Sequence, residues 1–83
     1  MSEEPVVIRW FKGEHDSGEV FGIYQAKFQG TTYRGELFWN IKRSTEWTEN
    51  SGVRDWYFIG KDYIWEITEE EARAYLPEAA QKL

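Results

Sequence analysis

The sequence predicts an α+β fold, in which a strongly bent antiparallel sheet or small partly open barrel of four to five strands is followed by a C-terminal helix. Three observations lead to this prediction. A β-branched run lies near the start of the chain, two later segments read as hairpins, and a helix-capping pattern with alanines follows them. The predicted order of elements is β-β-β-β-β-α.

The chain is predicted to form one domain over residues 1–83, because its 83 residues fall within the size of a single domain. Residues 1–4 are expected to be a loose tail, 5–68 the sheet and 69–83 the C-terminal helical segment. No cysteine is present, so no disulfide can stabilise the fold. Stability must come from packing, for which five Trp, five Tyr and five Phe provide apolar area.

The first strand is predicted over Val6–Lys12, a run of β-branched and aromatic residues that ends at Gly13. The segment from Gly13 to Glu19 contains two glycines, an Asp and a Ser, and is typical of a turn.

The first hairpin is predicted to join Val20–Gln29 to Thr32–Lys42 through a loop of Gly30 and Thr31. In this register the pairs along one face are apolar or contain glycine, and a slip of one residue would destroy that match. The pairs on this face are Phe28 with Tyr33, Ala26 with Gly35, Tyr24 with Leu37, Gly22 with Trp39 and Val20 with Ile41. Glycines in these strands leave room for a large ring to lie across the sheet, or mark a bend.

A polar loop is predicted over residues 44–55, followed by a second hairpin with its turn at Gly60 and Lys61. Its strands are predicted over Asp55–Ile59 and Asp62–Thr68, where aromatic residues fall opposite one another. From both hairpins the predicted core comprises Tyr24, Leu37, Trp39, Trp56, Phe58 and Trp65.

The C-terminal helix is predicted to begin after Thr68, because Thr68 and Glu71 form a capping box. Pro77 should end the helix, kink it or begin a second short helix. Ala80 and Leu83 would extend the apolar stripe.

Composition argues against several classes of function. The net charge is −5, from 10 basic and 15 acidic residues, which disfavours a strongly basic nucleic-acid binder. No apolar run approaches the length of about 18 residues that a membrane helix needs, and the acidic N-terminus has no signal-peptide pattern. We therefore expect a cytoplasmic protein that does not bind membranes.

Catalytic and metal-binding signals are weak. Glu14, His15, Asp16 and Glu19 cluster in one turn, but the chain has no second His and no Cys to complete a transition-metal shell. The spacing also fails the calcium-loop pattern, so this cluster is interpreted as a solvated turn. No nucleophile or phosphate-loop motif is present. We expect a protein that is not an enzyme and binds no cofactor and no metal.

The predicted partner-binding surface lies on the other face of the first hairpin. In the predicted register Phe21, Ile23 and Phe38 form an apolar centre on that face. Three cations are expected around it, namely Lys27, Arg34 and Lys42. Two interpretations stay open, namely a core face covered by the helix and an exposed association surface. Trp47, in the polar loop, is either a further partner anchor or a lid that folds back over the mouth of a barrel.

The function that these features favour is a small protein-interaction module, such as an adaptor, an inhibitor or a small subunit. Its partner is expected to be another protein or a second copy of the chain. The alternative is a single-stranded nucleic-acid-binding domain that uses the sheet aromatics together with Lys27, Arg34, Lys42 and Arg43. Nucleic-acid mimicry by the acidic residues is weaker, because the acids are mixed with bases.

Overall fold

A computed structural model describes residues 4–81 and shows an α+β fold with a five-stranded antiparallel sheet. The strands are β1 (Val6–Glu14), β2 (Val20–Gln29), β3 (Thr32–Asn40), β4 (Thr48–Glu49) and β5 (Ile64–Ile67). The helices are α1 (Gly52–Ile59), α2 (Glu69–Tyr75) and α3 (Glu78–Gln81). The strand order is β4-β3-β2-β1-β5, so the sheet has two edges and does not close into a barrel.

The first strand and the first turn are confirmed. β1 extends two residues beyond the predicted end, and the chain reverses between His15 and Gly18, whose amide donates to the His15 carbonyl at 2.8 Å. At the end of the pairing β1 passes a bulge in β2, where Gly13 pairs with Gly22 and Glu14 with Val20. Phe21 is the extra residue of this bulge.

The predicted register of the first hairpin holds only next to the turn. Gln29 pairs with Thr32 and Phe28 with Tyr33, but Lys27 then pairs with Gly35, which leaves Arg34 as the extra residue of a β-bulge. Gly35 adopts φ 122°, a conformation that favours glycine.

Beyond this bulge the predicted pairs are wrong by one residue, because an extra residue exchanges the two faces of a strand. Tyr24 lies opposite Phe38 rather than Leu37, and Trp39 lies opposite Ile23 rather than Gly22.

Helices cover both faces of the sheet. On one face α2 and α3 cover a cluster of buried residues, namely Trp10, Ile23, Trp39, Ala72, Leu76 and Ala80. On the other face α1 covers a second cluster, namely Phe11, Tyr24, Ala26, Phe28, Val53 and Ile64. The aromatic residues of the chain are therefore divided between two cores, one on each side of a single sheet.

The second predicted hairpin is wrong in its first half. The segment Asp55–Ile59 belongs to α1, while the second half forms β5, which pairs with β1 instead. Val53, Trp56 and Tyr57 lie three and four residues apart and face the sheet together, which is the spacing of an amphipathic helix.

This change of structure alters the predicted core. Tyr24 and Trp39 are buried, and Leu37 and Trp56 are partly buried. Phe58 at the end of α1 and Trp65 on β5 are 66% and 52% exposed, so their predicted burial is wrong.

The C-terminal segment follows the prediction. The Thr68 hydroxyl accepts from the Glu71 amide at 3.1 Å, and a Glu71 carboxylate oxygen accepts from the Thr68 amide at 3.2 Å. α2 ends before Pro77, after which α3 begins, and Ala80 is buried. Leu83 and most of the predicted tail lie outside the described residues.

Candidate functional site

The three apolar residues of the predicted partner surface do not lie together. Ile23 is fully buried beneath α2 and α3, whereas Phe21 and Phe38 are partly buried on the α1 side of the sheet. The predicted patch is wrong as a single surface, because the bulge at Arg34 places Phe38 in phase with Tyr24 rather than Ile23. Whether Phe21 and Phe38 contact a partner stays a prediction.

Glycines explain why Phe38 is placed among polar neighbours in the sequence. The Phe38 ring lies across Gly22, and the Phe21 ring lies across Gly13, where a Cβ atom would collide with each ring. The two rings are 6.2 Å apart, and Phe38 also packs 4.6 Å from Tyr24. Phe38 thus lies at the margin of the core under α1. The prediction that a glycine makes room for a ring is confirmed at Gly22.

The predicted rim cations lie at opposite ends of β3. Lys27 and Arg34 line a cleft of about 390 Å³ beside the end of β4, together with Gln25. Lys42 lies beyond the other end of the strand and forms an ion pair of 2.8 Å with Glu19. Lys27, Arg34 and Lys42 therefore surround no common patch. Nucleic-acid binding through these residues and Arg43 stays a prediction.

Trp47 folds back onto the sheet face that α2 and α3 cover. Its ring lies 6.2 Å from that of Trp10 and 5.6 Å from that of Trp39, and its indole N–H donates to the Ala80 carbonyl at 2.9 Å. The inward orientation agrees with the lid interpretation, but Trp47 joins the loop to α3 and covers no barrel mouth.

A buried carboxylate holds the N-terminus of α1, and sequence patterns gave no signal for it. Glu36 on β3 accepts from the amides of Val53 and Arg54 at 3.0 and 2.9 Å, and from the Tyr33 hydroxyl at 2.8 Å. Burial, with the bond to Glu36, raises the pKa of Tyr33. Ser51, at the start of the helix, makes no side-chain cap. Glu36 therefore fixes where α1 crosses the sheet.

The most exposed apolar segment of the sheet lies on β1. β5 pairs only with Trp10–Gly13, so within the described residues the same edge of β1 has no neighbouring strand from Val6 to Arg9. Val6, Val7 and Ile8 are 53%, 47% and 45% exposed. We call Val6–Arg9 the open edge. A hydrophobic strand with an unpaired edge is a template for another strand.

The backbone direction of the open edge follows from the pairing with β5. The Glu14 amide donates to the Tyr63 carbonyl at 2.9 Å, so Glu14 directs its peptide groups toward β5. Because peptide groups alternate in direction along a strand, Val6 and Ile8 direct theirs toward the same side, where no strand of residues 4–81 lies. Val7 directs its peptide groups toward β2.

Apolar side chains adjoin the open edge on the α1 side. Val7 pairs with Phe28, whose ring centroid lies 5.2 Å from that of Tyr57 in α1. Phe58 and Ile59 follow Tyr57 at the end of α1. Ile59 is 74% exposed, the largest exposure among the large apolar residues of 4–81.

Arg9 closes the open edge at its inner end. Its guanidinium lies 4.6 Å over the Phe28 ring and donates to both carboxylate oxygens of Glu66, at 2.9 and 2.6 Å. The bond to Arg9 lowers the pKa of Glu66 and raises that of Arg9. The charge next to the apolar segment is therefore already paired.

Comparison with protein-family models, with curated proteins and with solved structures finds no match to this chain. Over residues 4–81, none of the helices has both the length and the apolar character needed to cross a membrane.

Proposed function

We propose that this protein is a small non-catalytic interaction module that binds an extended β-strand of another polypeptide along its open edge. The observation that carries the proposal is the run Val6-Val7-Ile8, which is about half exposed beside unpaired peptide groups. Main-chain hydrogen bonds supply affinity in this mode of binding, and side chains on alternate residues supply specificity. We place this activity in the cytoplasm, because the chain uses no cysteine.

From Val6 to Ile8 the edge lacks the features with which proteins block unwanted strand pairing. Such edges usually carry a charged side chain, a proline or a bulge. Val6, Val7 and Ile8 are uncharged and include no proline. The bulge of the β1–β2 pair lies at the other end of β1. On the α1 side Val7 lies opposite Phe28, whose ring packs on that of Tyr57, so apolar side chains adjoin the edge.

A short peptide that alternates threonine and valine, capped at both ends, is a suitable probe. It should be titrated at low protein concentration while backbone amide resonances are recorded by NMR. We expect saturable shifts at Val6 and Ile8, because their amides acquire acceptors. The same peptide with every backbone amide N-methylated is the matched control, and it should not bind, since neither of its edges can donate to the ladder.

The surface on the protein can be tested in the same titration. Ile8→Lys should abolish binding, since lysine on an edge disfavours strand addition. Tyr75→Lys changes an apolar residue of similar exposure on α2, outside the open edge, and this variant should bind as the unchanged protein does. Shifts confined to Phe21 and Phe38, or no saturable shift, would refute this function for the open edge.

A further inference from the structure

The open edge is bounded at both ends, which limits the length of the strand that can pair with it. At Trp10 the place beside β1 is taken by Ile67 of β5, so an added strand must end opposite Arg9. At the other end Glu4 turns toward the β2–β3 hairpin, where its carbonyl accepts from the Gln29 side chain at 2.9 Å and its carboxylate lies against Gly30. The available length is therefore that of residues 5–9.

We propose that a second copy of this chain occupies the open edge, so that two β1 strands pair antiparallel about a two-fold axis through Val7. This inference rests on the proposed function and names its partner. With Val7 at the axis, Val6 lies opposite Ile8 of the second copy, and Pro5 lies opposite Arg9. The pairing uses the whole open edge and stops before Trp10 of each copy, where β1 pairs with Ile67 of β5.

The direction of the peptide groups fits this register. Val6 and Ile8 both direct their N–H and C=O groups outward, so each Val6–Ile8 pair exchanges both backbone hydrogen bonds. Val7 forms the pair without hydrogen bonds at the axis. Pro5 has no N–H, but it shares the inward direction of Val7, so the ladder between copies loses no donor there.

The two faces of the sheet are also consistent with a symmetric pair. A two-fold axis perpendicular to the sheet keeps α1 of both copies on one side, so residues directly opposite must share a face. Val6 and Ile8 share the α2 side, and Val7 meets its own copy on the α1 side, where it pairs with Phe28 in its own chain. A centre at Ile8 would place Val6 opposite Trp10, whose edge is occupied by β5.

Charge favours a second copy over a strongly charged partner. The segment from Val6 to Ile8 has no charged residue, and the Arg9 charge is paired with Glu66 at 2.6 Å. The charged residues that give each chain its net charge of −5 lie outside Val6–Ile8, and the repulsion between two copies is screened at physiological salt. The interface is small, and we expect a dissociation constant of about 10–100 μM.

Single cysteines test the register directly, because the chain has no cysteine of its own. In the proposed pair Val7→Cys places two Cα atoms about 4.5 Å apart, within the range of a disulfide. Val6→Cys and Ile8→Cys place like residues on a diagonal of about 7–8 Å, at which a bridge requires backbone movement. Under mild oxidation Val7→Cys should form covalent dimers at least about tenfold faster than either control variant.

Sedimentation equilibrium supplies the matching test without a cross-link. Val7→Lys places two like charges directly opposite each other and should weaken the dimer about tenfold or more, while Tyr75→Lys should not change it. Equal cross-linking of the three cysteine variants would overturn the register. A protein that stays monomeric to about 1 mM would overturn the second copy as partner, whereas the proposed function would still stand if the peptide probe binds Val6 and Ile8.

Discussion

Replacing Glu36 tests how the helix α1 is held on the sheet. Glu36 is 6% exposed, and its carboxylate accepts from two helix amides and from the Tyr33 hydroxyl. Hydrogen bonds to a charged group contribute about 1.5–3 kcal/mol each, and a helix cap contributes about 0.5–2 kcal/mol. These contributions overlap at one site, so we expect Glu36→Ala to lower the free energy of unfolding by about 3–5 kcal/mol.

The conservative variant separates charge from shape. Glu36→Gln keeps one acceptor oxygen but removes the negative charge at the positive end of the helix, so a loss of about 1.5–3 kcal/mol is expected. Glu49→Gln, an exposed acid on β4, is the matched control and should stay within about 0.5 kcal/mol of the unchanged protein.

Urea unfolding followed by tryptophan fluorescence is a suitable assay, because Trp56 on α1 lies 4.9 Å from Phe11 and reports the docking of the helix. A Glu36→Gln protein as stable as the Glu49→Gln control would refute the role of Glu36 as the cap of α1.

Three further variants test the packing and the charges. Gly22→Ala should lower the free energy of unfolding, measured in urea, by about 1–3 kcal/mol, since its new methyl group collides with the Phe38 ring. Adding Phe38→Leu to the Gly22→Ala protein should recover part of that loss. The pKa of Glu66 is lowered in the folded state, so its ion pair with Arg9 stabilises the fold above the ordinary carboxyl pKa and loses this effect as pH falls through the lowered value. Glu66→Gln should remove this part of the acid dependence, worth about 0.2–1 kcal/mol for so exposed a pair, and an unchanged pH profile would contradict the assignment. Trp47→Phe loses the hydrogen bond to α3 and should increase amide exchange in that helix, which unchanged exchange would contradict.

Local signals in the sequence were enough to predict several elements. The β-branched run of β1, the Gly30-Thr31 turn and the capping box at Thr68 each depend on residues close together in the chain, and all three are present. Each of these signals states a preference of the backbone itself.

The failures have a different origin. The bulge at Arg34 could not be predicted, because Gly35 is compatible with either register and only the packing of both faces decides between them. The segment Asp55–Ile59 is rich in aromatic residues, as strands are, yet it forms a helix capped by Glu36 from another element. Tertiary contacts here override local preference.

The open edge was missed for a related reason. The run Val6–Ile8 was predicted as a strand, but a sequence does not show which neighbour leaves half of that strand uncovered. This depends on the short length of β5 and on its pairing with Trp10–Gly13. The sequence instead predicts a site at aromatic residues, since these usually mark interfaces. In the structure Phe38 and Phe21 lie against glycines at the margin of a core.

Amide hydrogen exchange measured over a range of protein concentrations tests most directly whether the open edge pairs with a second copy. Pairing predicts that the Val6 and Ile8 amides become protected as concentration rises, because only these two direct their N–H groups outward along the edge. The Val7 and Arg9 amides, which face β2, should keep the same protection throughout. Exchange at Val6 and Ile8 that does not depend on concentration, or protection that rises equally at all four amides, would contradict the account.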